Sequence, residues 1–451
     1  MVARAPEPTG RPDGVWSANV ARTESGELAV AGVPVTQIAG EFGTPTYILD
    51  EADMRARARA WKNAMDAAFA PLAGADVYYA GKAFLSKAVA RWMAKEGLNI
   101  DSASEGELRT ALAAGVPGSR IGLHGNNKSD AEITLALECG SAHIVVDSLP
   151  EIEQVARIAR AVGTRAPVYV RLTTGVHAGG HDFIQTAHED QKFGLSVTTG
   201  AAQEAISRIA ANPALSLIGL HSHIGSQILA ADGFAQAARA VLDVRAWAAG
   251  QGIEITEVDL GGGYGVRYTD ADAVPPAPEE FARVLAAAVS EHVAQTGLRP
   301  PRVSIEPGRS IVAPAMMTLY TVGTIKDVVT DSGPRRYVSV DGGMSDNLRP
   351  ALYGAQYTAL VANRLVEGEE ARCRVVGKHC ESGDIVVHDV ALPPLAAGDL
   401  LAVPVTGAYG RSMGSNYNML PRPGVVSVRD GHCRVILRRE TIEDQLALDV
   451  G

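Results

Sequence analysis

The sequence predicts an α/β chain, a (β/α)8 TIM-type barrel followed by an all-β C-terminal domain of sandwich or Greek-key type, and three observations carry that expectation. Between residues 77 and 311, eight short apolar or β-branched runs alternate with alanine-rich amphipathic segments, the order a parallel barrel requires. Polar residues able to do chemistry sit where each run ends, and closing the sheet would gather those ends around one mouth. Past Ile311 the helical periodicity stops, and alternating segments separated by turn signals take over. A doubly wound open sheet is the alternative; the polar run ends favour closure, because only a closed sheet brings all eight together.

Length and composition agree. At 451 residues the chain exceeds one ordinary core and suits a barrel of about 250 residues with a smaller partner. Its residues are 46% hydrophobic and 20% charged, with no apolar run long enough to span a bilayer. A net charge of −10 argues against a nucleic-acid footprint. Cys139, Cys373, Cys380 and Cys433 have neither metal-ligand nor disulfide-framework spacing, which excludes a zinc module and points to a reducing cytoplasm. Met1 to Gly14 carries three prolines and no apolar core, and reads as a frayed tail.

In chain order, residues 1–43 comprise that tail and an edge hairpin at Glu27–Val33 that would join the β domain. The barrel segment, 44–311, opens with a strand at Thr46–Asp50 and a helix from Glu51 to about Phe69. The eight runs follow at Val77–Tyr79, Leu98–Asp101, Arg120–Leu123, His143–Asp147, Val168–Leu172, Leu217–His221, Glu257–Leu260 and Arg302–Ile305. Their ends carry Lys82; Ser104; His124 with Asn126; Asp147; Arg171; His223; Gly261 to Gly263; and Glu306 with Arg309. Segment 312–451 is the β domain, with a hairpin turning at Asp430-Gly431.

Individual motifs suggest chemistry. Lys82 closes the apolar stretch Val77–Phe84, where partial desolvation can make an amine nucleophilic toward a carbonyl. The glycine triplet 261–263 follows a strand and can present backbone N–H groups to a phosphate, or simply form a tight turn. Pro307-Gly308 turns the chain between Glu306 and Arg309, splaying the two charges toward different targets unless they pair as a salt bridge. His221 and His223 alternate along one strand; they suit a metal completed by His177, His181 or His188, or an aromatic ring packed on a flat ligand.

Taken together, YAGKA, HSHIGSQ, GGGYG, EPGRS, MSDNLRPALYG, CESGD and GAYG resemble the fold-type III pyridoxal-phosphate decarboxylases, the relatives of alanine racemase, and within them the diaminopimelate decarboxylases in their actinobacterial version. The resemblance runs from about Thr44 to about Val428. It implies pyridoxal 5′-phosphate as cofactor, held covalently by Lys82, with Glu306 at the pyridine nitrogen and His223 stacked on the ring. Ser226, Gly261, Gly262, Gly263, Gly308, Arg309 and Tyr409 would surround the phosphate. Arg309, Arg349, Tyr353 and Tyr409 would hold the distal carboxylate of meso-diaminopimelate, and Glu381 its distal ammonium. Cys380 would be the acid that protonates the carbon after CO2 leaves, contributed across a homodimer interface, and no resident metal is implied.

The chain departs from the family pattern at Phe84, where asparagine is usual, at Gly179-Gly180, and at Lys378-His379, where a proline commonly precedes the cysteine. None removes a catalytic group. Two other functions fit the cofactor set: decarboxylation of a diamino acid of the ornithine, arginine or carboxynorspermidine type, or cofactor binding without turnover. An arginine in the distal pocket disfavours the former, since it would repel a lone ammonium.

Overall fold

The computed structural model describes residue 12 and residues 14–176, 192–331 and 333–451. The described chain divides into two compact units. One comprises Arg57–Gly265 and Val274–Ser310; the other comprises the described residues up to Ala56 with Val266–Ala273 and Ile311–Gly451.

The first unit is a closed parallel barrel. Its strands are Ala75–Ala80, Asn99–Ser102, Ile121–Leu123, His143–Val146, Ala166–Thr173, Leu215–Ser222, Glu257–Asp259 and Arg302–Ile305. Each pairs in parallel with the next, and the eighth returns to the first through Val303 opposite Ala75. All eight coincide with the runs read from sequence, because strands of such a barrel are covered on both faces and therefore run apolar. A two-residue strand, Leu195–Ser196, extends the ring beside the fifth strand.

Helices Lys87–Lys95, Glu105–Ala113, Asp130–Glu138, Leu149–Val162, Ala201–Ala211, Asp232–Gly250 and Pro278–Thr296 alternate with the strands. Local chemistry sets where several begin. Ser86 accepts from the Val89 N–H, and Ser129 with Glu132 forms a reciprocal capping box. Ser104, expected among the chemically active strand ends, accepts from the Glu107 N–H and is a helix cap. Tyr264, just past the seventh strand, stacks against Phe234 at 4.5 Å and meets Trp61 at 4.4 Å, anchoring that loop among the helices.

The second unit is built on one long strand, Met316–Thr330. Its first part pairs with Thr46–Asp50 on one side and Leu400–Val403 on the other; its second part pairs with Gly333–Val340 after a register shift between Val322 and Ile325. The mixed sheet continues outward to Ala371–Val376 and Ile385–Leu392 at one end, and to Gly424–Arg429 and His432–Leu437 at the other. Thr46–Asp50, which the sequence set at the head of the barrel segment, lies in this sheet, parallel to Gly424–Arg429. Leu28, Val30, Ile38, Ile48, Leu319, Ala402 and Val426 fill its core. At the hairpin turn Asp430 and Gly431 both take positive φ, 49° and 76°, as a type I′ turn demands. No helix among the described residues is long and apolar enough to cross a membrane.

One barrel contact gives a direct test. A Cβ at Gly219, on the sixth strand, would lie 2.4 Å from the buried Tyr169 ring on the fifth. Gly219→Ala is expected to lower the unfolding free energy by about 1–3 kcal/mol through overpacking, measured by urea denaturation.

Candidate active site

The barrel loops that carry the expected site residues are locked together by glycine. A Cβ at Gly261, Gly262 or Gly263 would come within 2.4 Å of the backbone oxygen of Ser222, Glu306 or Gly225 respectively. The triplet is thus wedged between the loops that follow the sixth and eighth strands, and Gly261 and Gly263 also take positive φ, 68° and 111°. At Gly308 a Cβ would meet Ala80 at 2.9 Å, and at Gly81 it would meet the Asp101 oxygen at 2.8 Å.

These contacts fix the side chains at the carboxyl ends of the strands. Lys82 lies on the single 3-10 turn Gly81–Ala83 and is exposed. Its charge acts on Asp101, Glu107 and Glu306, favouring their ionised forms. The partly buried His223 accepts from the Gly262 N–H at Nδ1, 3.1 Å away, so in the neutral ring Nε2 carries the proton. Burial holds its pKa well below the ordinary value, with the Lys82 charge adding to the effect. Arg309 donates to the Ser226 hydroxyl at 2.7 Å, joining two residues expected at the phosphate. Phe84 is buried, and its carbonyl accepts from Tyr79 at 2.6 Å; it is a core residue.

Glu306 is buried, and its Oε1 has no hydrogen-bond partner among the described residues. His124 Nε2 and His221 Nε2 each lie 3.2 Å from that oxygen without forming a hydrogen bond, and His124 Nε2 is also 3.2 Å from Asp101 Oδ1. Burial pushes the Glu306 and Asp101 carboxyls up and the two imidazoles down. Asp259 is raised to about 7, first by burial and then by the Glu306 charge; it accepts from the Gly261 N–H and the Ser304 hydroxyl.

Sequence reading missed Asp101 and Asp259 as members of this group; strand-end position was the only available signal. His221 and His223 separate. The former joins His124 and Glu306, whose ligand-type atoms lie within 4.8 Å of one another, whereas His223 is held by the glycine loop. His177, His181 and His188, weighed as further ligands, and Gly179-Gly180 lie outside the described residues.

The β unit carries the remaining expected residues. Arg349 is buried, its guanidinium 4.4 Å from the Tyr268 ring centroid and its Nη1 donating to the Tyr357 hydroxyl at 2.6 Å. Neither tyrosine was anticipated. Tyr353 lies four residues on in the same short helix, Arg349–Tyr353. Tyr409 holds φ at 61°, a conformation a bulky residue adopts only under constraint. Cys380 and Glu381 are exposed in the loop between Ala371–Val376 and Ile385–Leu392.

The loop leading into Arg349 contains a titrating group. Asp346 accepts from the Gly343 N–H at 2.9 Å, and burial raises its carboxyl from 3.8 to about 7. Below about pH 4 it is protonated whether folded or unfolded and costs nothing. As pH rises toward 7 the unfolded chain ionises first and stability falls. Asp346→Asn removes that dependence, so its stability relative to the native chain is expected to improve from pH 4 to pH 7 by up to roughly 4 kcal/mol and then level off, as read by denaturation at a series of pH values.

A planar, phosphorylated cofactor fits the barrel site on two counts: close-packed glycine loops beside Ser226 and Arg309, and a buried acceptor, Glu306 Oε1, that has no hydrogen-bond partner among the described residues. The family "Pyridoxal-dependent decarboxylase, pyridoxal binding domain" matches residues 51–313. The diaminopimelate decarboxylase of Mycobacterium bovis is 50% identical over 443 residues, covering 97% of this chain and 98% of that one. That of Bacillus subtilis is 43% identical over 430 residues, covering 95% and 96%. Among solved structures, diaminopimelate decarboxylase from M. jannaschii in co-complex with L-lysine superposes with a TM-score of 0.90 at 31% identity, covering 96% and 98%. The chain belongs to the diaminopimelate decarboxylase family, carboxy-lyases whose cofactor is pyridoxal phosphate.

Proposed function

We propose that this protein decarboxylates meso-2,6-diaminopimelate to L-lysine and CO2, the last step of lysine biosynthesis, as a cytoplasmic homodimer. The observation that carries the reading is the joint presence of Lys82 beside a buried, donor-seeking Glu306 in the barrel and a buried Arg349 in the β unit, in a chain 50% identical to an enzyme of that name.

Bound pyridoxal phosphate supplies an aldehyde carbon for amines and a ring that accepts the electrons left behind when CO2 departs. Lys82 would hold the cofactor through its amine, at the place the substrate's amine would take. Glu306 would hold a proton at the pyridine nitrogen, giving its buried Oε1, which has no partner among the described residues, a donor. His223, its pKa held low by burial, would hold the ring without adding charge. Gly261, Gly262, Gly263, Gly308, Ser226, Arg309 and Tyr409 hold the phosphate.

Arg309, Arg349, Tyr353 and Tyr409 receive the distal carboxylate and Glu381 the distal ammonium. The Tyr268 face and the Tyr357 hydroxyl fix the Arg349 guanidinium in advance, which reduces the entropy lost on binding. Cys380, from the second protomer, gives its proton to the substrate carbon: a C–C bond breaks, a C–H bond forms, and solvent restores the thiol proton.

Three experiments test this. With stereochemically resolved diaminopimelate, CO2 release should be fast for the meso isomer and at least tenfold slower for ornithine or arginine. Borohydride reduction of the holoenzyme should label the Lys82 peptide, and Lys82→Ala should abolish both signals; release from ornithine but not from diaminopimelate would reassign the substrate. For the shared site, mixing inactive Lys82→Ala with severely impaired Cys380→Ala subunits should restore up to about a quarter of native activity through hybrid dimers, in which one of two sites is intact. No recovery after verified subunit exchange refutes the sharing.

A further inference from the structure

The loop that carries Cys380 is held by a hydrogen-bond chain that the decarboxylation reading does not use. Asn418 Oδ1 accepts from the Cys380 N–H at 3.1 Å and lies 3.2 Å from His379 Nδ1. On the other side of the ring, His379 Nε2 is 2.8 Å from the Ser345 hydroxyl and 3.4 Å from the Ser345 N–H. A backbone N–H can only donate, so Nε2 is the acceptor, and in the neutral ring Nδ1 carries the proton that Asn418 Oδ1 accepts. The amide oxygen therefore takes two donors, one from each residue at the Cys380 junction.

The surroundings fix the chain at both ends. His379 N–H donates to Asp384 Oδ2 at 2.8 Å, while Asp384 Oδ1 accepts from the Met344 N–H. Gly343 and Gly377 pack so closely against Asp384 that a Cβ at either would lie within 2.5 Å of its carboxylate. Asn418 itself has φ 53° and ψ 28°, left-handed backbone that asparagine tolerates better than most residues. Tyr417 stacks on His379 at 5.3 Å and, with Glu381, Met344 and Leu348, lines a groove of about 650 Å³ in the same unit.

We propose that Asn418 and His379 are positioning residues that fix the backbone of Cys380, and with it the direction from which the thiol delivers its proton. The proposal rests on the reading of Cys380 as the acid. Asn418→Gly removes the acceptor while relieving the left-handed backbone, and Asn418→Asp keeps an oxygen acceptor at the same place.

The experiment is a double-mutant cycle on the full holoenzyme, following lysine formation from meso-diaminopimelate, with cofactor absorbance and melting temperature confirming that each variant is folded and loaded. Asn418→Gly should lower kcat about 10-fold or more, part of what a placed acid contributes, with KM within about twofold. Asn418→Asp should stay within about threefold of native. In a Cys380→Ala background, where no thiol remains to be placed, Asn418→Gly should cause no further loss. Equal losses in both backgrounds, or native kcat in Asn418→Gly, overturn the positioning role while leaving Cys380 as the acid. Native kcat in Cys380→Ala alone overturns the acid assignment and this proposal with it.

Discussion

The site in the barrel depends first on how closely backbone can approach backbone. Five glycines, at positions 81, 261, 262, 263 and 308, let loops after four different strands press together with no side chain between them. Those contacts set where Lys82, His223, Glu306 and Arg309 begin, since each is a near neighbour of such a glycine or bonded to one. A methyl group at Gly262 would push against the Glu306 carbonyl and displace the carboxylate with it. Close approach of this loop and placement of the carboxylate are thus one geometric requirement.

Electrostatics then couples the same few residues to one another. Asp101, Asp259 and Glu306 are buried near one another; the Glu306 charge raises the cost of ionising both aspartates, and Asp259 adds to that cost for Asp101. The charges of Lys82 and Arg171 work against that cost for Glu306. Removing the Lys82 ammonium therefore changes the charge state of the barrel interior as well as losing an amine. His124 and His221, both held neutral by burial, line the Glu306 oxygen with imidazole nitrogens and add no compensating cation.

Much of this was legible in the sequence. A barrel strand must be apolar along its length and its helix amphipathic, so the eight repeats survive as composition; Lys82, His223 and Glu306 stand out as polar residues at the ends of such runs. Pairing across long separations leaves no such trace. Thr46–Asp50 reads like any strand, and nothing local says that its neighbours are Met316–Thr330 and Gly424–Arg429. Ser104 looked chemical by position and proved to be a cap, since a strand end in this fold is also a helix start. Tyr268 supports Arg349 from 81 residues away in the chain, a partnership no local pattern encodes.

The β-unit loops show how a departure in sequence can be absorbed structurally. Lys378-His379 stands where the family resemblance leads one to expect a proline, a residue that stiffens the chain by fixing φ. Here stiffness comes from bonds: His379 is tied through its backbone to Asp384 and through both ring nitrogens to Ser345 and Asn418. The two solutions differ in kind. A proline constrains the unfolded chain as well as the folded one, whereas a hydrogen-bonded imidazole constrains only the folded loop and requires Ser345 and Asn418 to be in place. The order of the Cys380 segment in this protein is therefore a tertiary property, shared among the 345, 379 and 418 segments.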